Sequence, residues 1–210
     1  MFWVTGEQYR GDWKDNKLHG KGIFTYKNGD KYEGDWQNGL RHGLGTFFVF
    51  KEGKYICRYH GEWAYDQPWG HGIYYGEDGV VYEGDWVNGL RHGKGRAIYG
   101  GRPSDGFGGD VYEGNWENDV RHGLGTMNYA SGDVFEGQWA SDQKHGQGTH
   151  AYHAKGRRFD GVWQADTPKC GTYSEIKPAA PGTPGALPQL ELAEPAVIAD
   201  GARSELLAQL

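Results

Sequence analysis

Aromatic and polar residues alternate along most of this chain with a period of two, and the alternation restarts at intervals of 23 residues or slightly more. Each restart has an aromatic, a polar residue, Gly, a second variable residue and Trp, as in Tyr32-Glu33-Gly34-Asp35-Trp36. In an extended strand, side chains two apart share a face, so the aromatic, Gly and Trp point one way and the residues between them the other. The opening recurs from Tyr9, Tyr32, Tyr59, Tyr82, Tyr112, Phe135 and Phe159, which makes seven repeats. A short polar turn follows each Trp. Asn38-Gly39 and Asn88-Gly89 are dipeptides suited to a tight hairpin, because both residues tolerate positive φ. A Gly-x-Gly comes next, at Gly20/Gly22, Gly43/Gly45, Gly70/Gly72, Gly93/Gly95, Gly123/Gly125 and Gly146/Gly148, and only the seventh repeat departs, with Cys170-Gly171-Thr172. Each repeat is therefore predicted to be a β-hairpin.

One hairpin cannot hide its own rings, so the pattern is repeated to give every hairpin a neighbour. The fold class this predicts is all-β: an elongated single antiparallel sheet of consecutive hairpins, a ribbon in which large rings lie on backbone that glycine leaves bare. The packing residues are the opening aromatic and Trp of each repeat: Tyr9 and Trp13, Tyr32 and Trp36, Tyr59 and Trp63, Tyr82 and Trp86, Tyr112 and Trp116, Phe135 and Trp139, Phe159 and Trp163. The stretch from Trp3 aligns with that from Tyr26, so the array is expected to start with half a repeat, and it is expected to span residues 1–172. Residues 173–210 lack the period. They are rich in Pro and Ala and are expected to form an extended tail, with a short terminal helix over Asp200–Leu210 that either packs back on the ribbon or docks on another protein. Two intervals are long. Four extra residues fall near Cys57 and seven between Gly100 and Asp110, readable as tolerated growth of loops or strands or as partner-specific protrusions.

Composition sharpens this picture. Glycine supplies 37 of 210 residues and aromatics 15%, so the order has to come from rings and bare backbone more than from aliphatic side chains. A net charge of −6 argues against nucleic acid as a partner. Two cysteines, no apolar run of membrane-spanning length and no signal-like start predict a soluble chain of the reducing cell interior, in the cytoplasm.

The segments YEGDWQNGLRHGLG, from Tyr32, and YEGDWVNGLRHGKG, from Tyr82, with their 23-residue period, resemble the MORN repeat, the membrane occupation and recognition nexus motif, over Trp3 to about Thr172. The resemblance implies a repeat ribbon that binds other proteins. Short MORN-only proteins are similar to components of cilia, flagella and other cytoskeletal assemblies, including radial-spoke proteins. It therefore implies a structural part of an axonemal complex located in the cilium or flagellum, with proteins of that complex as partners. Phospholipid or membrane binding, and a soluble adaptor for a signalling or motor complex, are the alternatives.

Candidate chemistry is sparse. His19, His42, His92, His122 and His145 recur at one position, but neighbouring columns lie two strands apart, about 9 to 10 Å, against Zn–N bonds of about 2 Å, so no metal site is expected. No nucleophile, base and orienting residue occur together, so neither catalytic residues nor a cofactor is expected, and the chain reads as a non-enzyme. Arg41, Arg91 and Arg121, with Lys144, form a cationic column that either faces an acidic partner or pairs with carboxylates such as Glu33, Asp35, Glu83 and Asp85. Trp69 stands where other repeats have His. It and Leu206, Leu207 and Leu210 complete the partner-binding candidates.

Overall fold

The computed structural model describes residues 2–4, 6–100, 109–176 and 197–199, and among them strands predominate, with one 3-10 turn at His153–Lys155 and no α-helix. The strands fall into two compact units. The first contains β1 (Phe2–Val4), β2 (Glu7–Lys14), β3 (Lys17–Thr25), β4 (Lys31–Gln37), β5 (Leu40–Lys51), β6 (Lys54–Ala64) and β7 (Gln67–Tyr75), each paired antiparallel with the next. The strand β8 (Val81–Val87) is divided, its residues from Trp86 belonging to the first unit and those to Asp85 to the second. The second unit continues with β9 (Leu90–Tyr99), β10 (Asp110–Glu117), β11 (Val120–Asn128), β12 (Val134–Ala140), β13 (Gln143–Tyr152), β14 (Arg157–Gln164) and β15 (Thr167–Glu175), again antiparallel in chain order. The all-β class and the succession of hairpins are those read from the period. The expected terminal helix, and all but Val197–Ala199 of the Pro-rich stretch, lie outside the described residues.

The turns show why the hairpins close where they do. Asn38 and Gly39 have φ of 55° and 87°, and the same two left-handed residues recur at Tyr65-Asp66, Asn118-Asp119 and Ser141-Asp142. This is the twist a two-residue loop needs to match right-twisted strands.

Register then aligns the glycines. Gly11, Gly22, Gly34, Gly45, Gly61 and Gly72 stand directly opposite one another across the first unit, and Gly95, Gly114, Gly125, Gly137, Gly148, Gly161 and Gly171 do so across the second. A β-carbon at Gly45 would overlap the Tyr32 ring and hydroxyl, and one at Gly125 would meet Tyr112 in the same way. The ring on this bare row is thus that of the opening aromatic, tyrosine in most repeats and Phe135 and Phe159 in the last two. Trp takes a different place. Within hairpins the pairing slips at a bulge just after the opening Gly, as between Gly34 and Asp35, and Gly43 supplies the left-handed φ of 57° that the bulge requires. Trp63 consequently sits opposite Gly43 of the preceding repeat, and its indole N–H donates to the Gly45 carbonyl at 3.1 Å.

The same bond joins Trp36 to Gly22, Trp86 to Gly72, Trp116 to Gly95, Trp139 to Gly125 and Trp163 to Gly148. Trp36, Trp63, Trp116, Trp139 and Trp163 each also meet two opening aromatics edge to face. In the first unit Tyr9, Trp36, Tyr32, Trp63, Tyr59 and Trp86 form an unbroken chain of such contacts, with centroids 5.0 to 5.7 Å apart. The second runs Tyr82, Trp116, Tyr112, Trp139, Phe135, Trp163, Phe159. Ring pairs of this geometry add about 0.5 to 1.5 kcal/mol each beyond the area they bury. Tyr32, Tyr82, Tyr112 and Phe135 are fully buried, while Trp13, in the first repeat, is 46% exposed.

The four-residue insertion near Cys57 lengthens strands, not loops: β5 and β6 pair out to Lys51 and Lys54, with an extra bulge at Phe47/Phe48. It builds a second small core in which buried Phe48 and Cys57 pack with Tyr55 and Tyr75, and the Lys31 ammonium lies 4.7 Å above the Phe48 and Tyr55 rings. Burial pushes the Cys57 thiol up to about 12, which keeps it protonated and unreactive. The longer β6 carries an additional partner: β16 (Val197–Ala199) pairs antiparallel with Lys54–Ile56.

If the ring chain holds the hairpins together, Trp139→Ala should cost about 3 to 5 kcal/mol in denaturant unfolding, whereas Trp13→Ala should cost less than about 1 kcal/mol.

Candidate interaction surface

The face carrying the rings is largely occupied by the chain itself. The tyrosine hydroxyls donate to the backbone carbonyl at the bulge of their own repeat, Tyr32 to Asp35, Tyr59 to Glu62, Tyr82 to Asp85 and Tyr112 to Asn115, at 2.9 to 3.1 Å. Burial raises all four phenols well above their ordinary range. The residue after the Gly of the opening strand has its own task. The side chains of Asp12, Asp35, Glu62, Asp85 and Gln138 accept the N–H of the middle residue of Gly-x-Gly at 2.8 to 3.1 Å, fixing the bulge.

The cationic column covers the tryptophans. The guanidinium carbons of Arg41, Arg91 and Arg121 lie 4.3, 4.4 and 4.5 Å from the ring centroids of Trp63, Trp116 and Trp139, each in the next repeat. Each Arg is clamped there by one aspartate. Asp119 accepts from the Arg91 backbone N–H at 2.9 Å and from Nε at 3.0 Å, while its carbonyl accepts from the other end of the guanidinium at 2.8 Å. Asp66 and Asp142 hold Arg41 and Arg121 in the same way. Lys144 follows the rule more loosely, with Asp166 accepting its backbone N–H and its ammonium 5.1 Å from Trp163.

These aspartates are not the carboxylates expected from the repeat. Asp35 pairs with Lys21 at 2.6 Å, Glu33 pairs with Lys31 at 3.4 Å and Asp85 binds backbone. The true partners sit in the turn of the following hairpin, and the sequence contains their signal. Where the column holds Arg41, Arg91, Arg121 or Lys144, the next turn ends in Asp66, Asp119, Asp142 or Asp166; where it holds Leu18 or Pro68, the turn ends in Gly39 or Gly89. In those two repeats the turn still donates to the preceding repeat, Gly39 to the Leu18 carbonyl and Gly89 to that of Pro68, both at 2.9 Å.

The histidine column is scattered in its contacts. His122 lies 3.6 Å from Glu117, His42 meets Tyr65 edge-on, and among the described residues no three His, Cys, Asp or Glu are grouped to hold a metal ion. A sixth histidine matters more. His150 is buried between Tyr129 and Tyr152, stacked at 5.6 and 4.1 Å, with its Nδ1 3.3 Å from the Lys144 ammonium. Burial, reinforced by Lys144, lowers its pKa to about 4, so it is neutral at physiological pH. It occupies the position that Phe24, Phe47 and Tyr74 hold in earlier repeats, and that alignment is the clue by which it was findable.

What remains for a partner is the opposite face and the side chains that differ between repeats. Tyr65, in a turn position held elsewhere by Asp, Asn, Ser or Ala, is 76% exposed; Leu44 and Leu124, in the middle of Gly-x-Gly, are 58% and 64% exposed; Trp69 is 41% exposed beside Pro68. On the face away from the rings, the first unit has a groove of about 540 Å³ lined by Lys21, Ile23, Glu33, Leu44, Thr46 and His60, the last two hydrogen-bonded at 2.7 Å. Leu206, Leu207 and Leu210 lie outside the described residues.

The MORN repeat family model matches residues 9–31, 32–48, 59–81, 82–100, 112–134 and 135–154. These are the first six hairpin repeats; the seventh, from Phe159, is unmatched although Trp163 makes the same bond to the preceding repeat. No curated protein matches the chain.

Two outcomes check this account. In a double-mutant cycle, Arg91→Leu and Asp119→Gly should each destabilise, and their coupling should be about 0.5 to 1 kcal/mol, the partly exposed carboxylate being screened by solvent. For His150 the folded pKa lies below the ordinary 6.5, so the unfolded chain binds the extra proton and stability falls as pH drops from about 6.5 toward 4. His150→Phe should show a smaller loss of Tm between pH 7 and pH 4.5 than the unchanged protein.

Proposed function

The chain belongs to the MORN repeat family, and on that premise we propose that it is a non-catalytic scaffold or adaptor that binds other proteins within a ciliary or flagellar axonemal assembly. MORN repeats are modules of protein or membrane interaction. The observation that carries the protein-binding reading is the division of labour in the repeat. Groups that recur between repeats, the rings, the arginines at Arg41, Arg91 and Arg121 and the bulge carboxylates, are engaged by this chain's own residues. Several exposed large side chains, Tyr65, Trp69, Leu44 and Leu124, stand where repeats differ. Rigid shared parts would set the spacing and variable parts would choose the partner.

A headgroup-binding face would need unengaged basic side chains. Arg41, Arg91 and Arg121 are each held by an aspartate, and the chain is acidic overall. Trp69 is therefore the candidate we favour as an anchor. The axonemal setting rests on the resemblance described above. The two long intervals, the Lys169-Cys170-Gly171-Thr172 ending and the Pro-rich tail resemble in layout MORN repeat-containing protein 3.

Fractionation of cilia or flagella from cells expressing the tagged protein, with detergent and then high salt, tests the reading. Retention in the detergent-insoluble microtubule fraction is expected; release by detergent would replace the scaffold with membrane attachment or a soluble adaptor.

A further inference from the structure

The insertion near Cys57 has left β6 longer than the strand beside it. The last β6–β7 pair on that side is Tyr59 with Tyr74, and the Arg58 guanidinium closes the end of β7 by donating to the Tyr75 carbonyl at 2.8 Å. On its other side β6 is paired along its whole length with β5, down to Lys54 with Lys51. The outer edge of Lys54–Ile56 is therefore a row of backbone donors and acceptors that the repeats themselves do not cover, and an uncovered edge is a template for another strand. That edge is taken by Val197–Ala199, with Val197 opposite Ile56, Ile198 opposite Tyr55 and Ala199 opposite Lys54.

We propose that the Lys54–Ile56 edge is a strand-addition docking site for a protein partner, and that Val197–Ala199 is its built-in, displaceable occupant. The occupant states what the site accepts. It is an extended, uncharged Val-Ile-Ala segment, its first two residues β-branched, flanked in sequence by Glu194 and Asp200, and the hairpin that receives it carries Lys51, Lys54 and Arg58. The matching partner segment is an apolar strand between acidic residues, bound through main-chain hydrogen bonds. Three residue pairs make a short ladder. The segment is tethered by about twenty residues after Ile176, so it competes at an effective concentration on the order of millimolar, high enough to occupy the edge and low enough for a longer partner strand to displace it.

The test uses the full chain and a fluorescent peptide EPAVIADG, its own residues 194–201. Val197→Pro/Ile198→Pro removes backbone donors from the occupant whichever of the two faces β6. The peptide should bind this variant about tenfold or more tightly than the unchanged protein, because the edge is no longer self-occupied. Amide exchange at Lys54–Ile56 should be faster in the variant and slow again when peptide is added, a readout independent of any partner. Equal affinity for both proteins, or peptide binding that leaves Lys54–Ile56 unprotected, would overturn the proposal. Concentration-dependent dimers that the proline variant loses would also overturn it, in favour of a strand exchanged between two copies.

Discussion

A β-sheet whose rings have no second layer to pack against must find its core sideways, in the next hairpin. Everything else described here follows from that constraint. The glycine row exists so that Tyr32, Tyr59 or Tyr112 can lie on bare backbone, and the bulge exists so that Trp can step across to the preceding repeat. The edge-to-face chain of Tyr and Trp then takes the place of an aliphatic core, with each ring serving two neighbours at once.

The same constraint governs the charges. A guanidinium laid over Trp63 or Trp116 shields its face from water, but an Arg left to move would lose that contact; Asp66 and Asp119 hold it in place from a turn one repeat further on. What would otherwise look like a basic stripe is thereby turned inward. The surface left for recognition is the irregular one, and irregularity is what a partner needs to find one register on a repeating object.

Hairpins, period and paired glycines were legible because they are local: positive-φ turn residues, alternation over five positions and Gly-x-Gly all fall within one repeat. The places where reading by repeat went astray involve two repeats. Strict alternation puts Asp35 simply on the far face, but the bulge makes it a backbone acceptor, and it puts Trp on the glycine that Tyr in fact covers. The Arg41–Asp66 and Arg91–Asp119 pairs span 25 and 28 residues, so no inspection of one repeat reveals them, although comparing each column residue with the following turn does. The docking of Val197–Ala199 has no periodic signature at all and depends on the extra length of β6.

The indole N–H groups of Trp36, Trp63, Trp86, Trp116, Trp139 and Trp163 all point their bonds the same way along the chain, each to a carbonyl of the repeat before it. The array is therefore polar, and its two ends are not equivalent. Trimming whole hairpins from the C-terminal side leaves each remaining indole with its acceptor, whereas trimming from the N-terminal side strips one Trp of its carbonyl and bares its flank. Lengthening or shortening by whole repeats is thus an operation with a preferred end, and the N-terminal boundary is where such an array needs a cap.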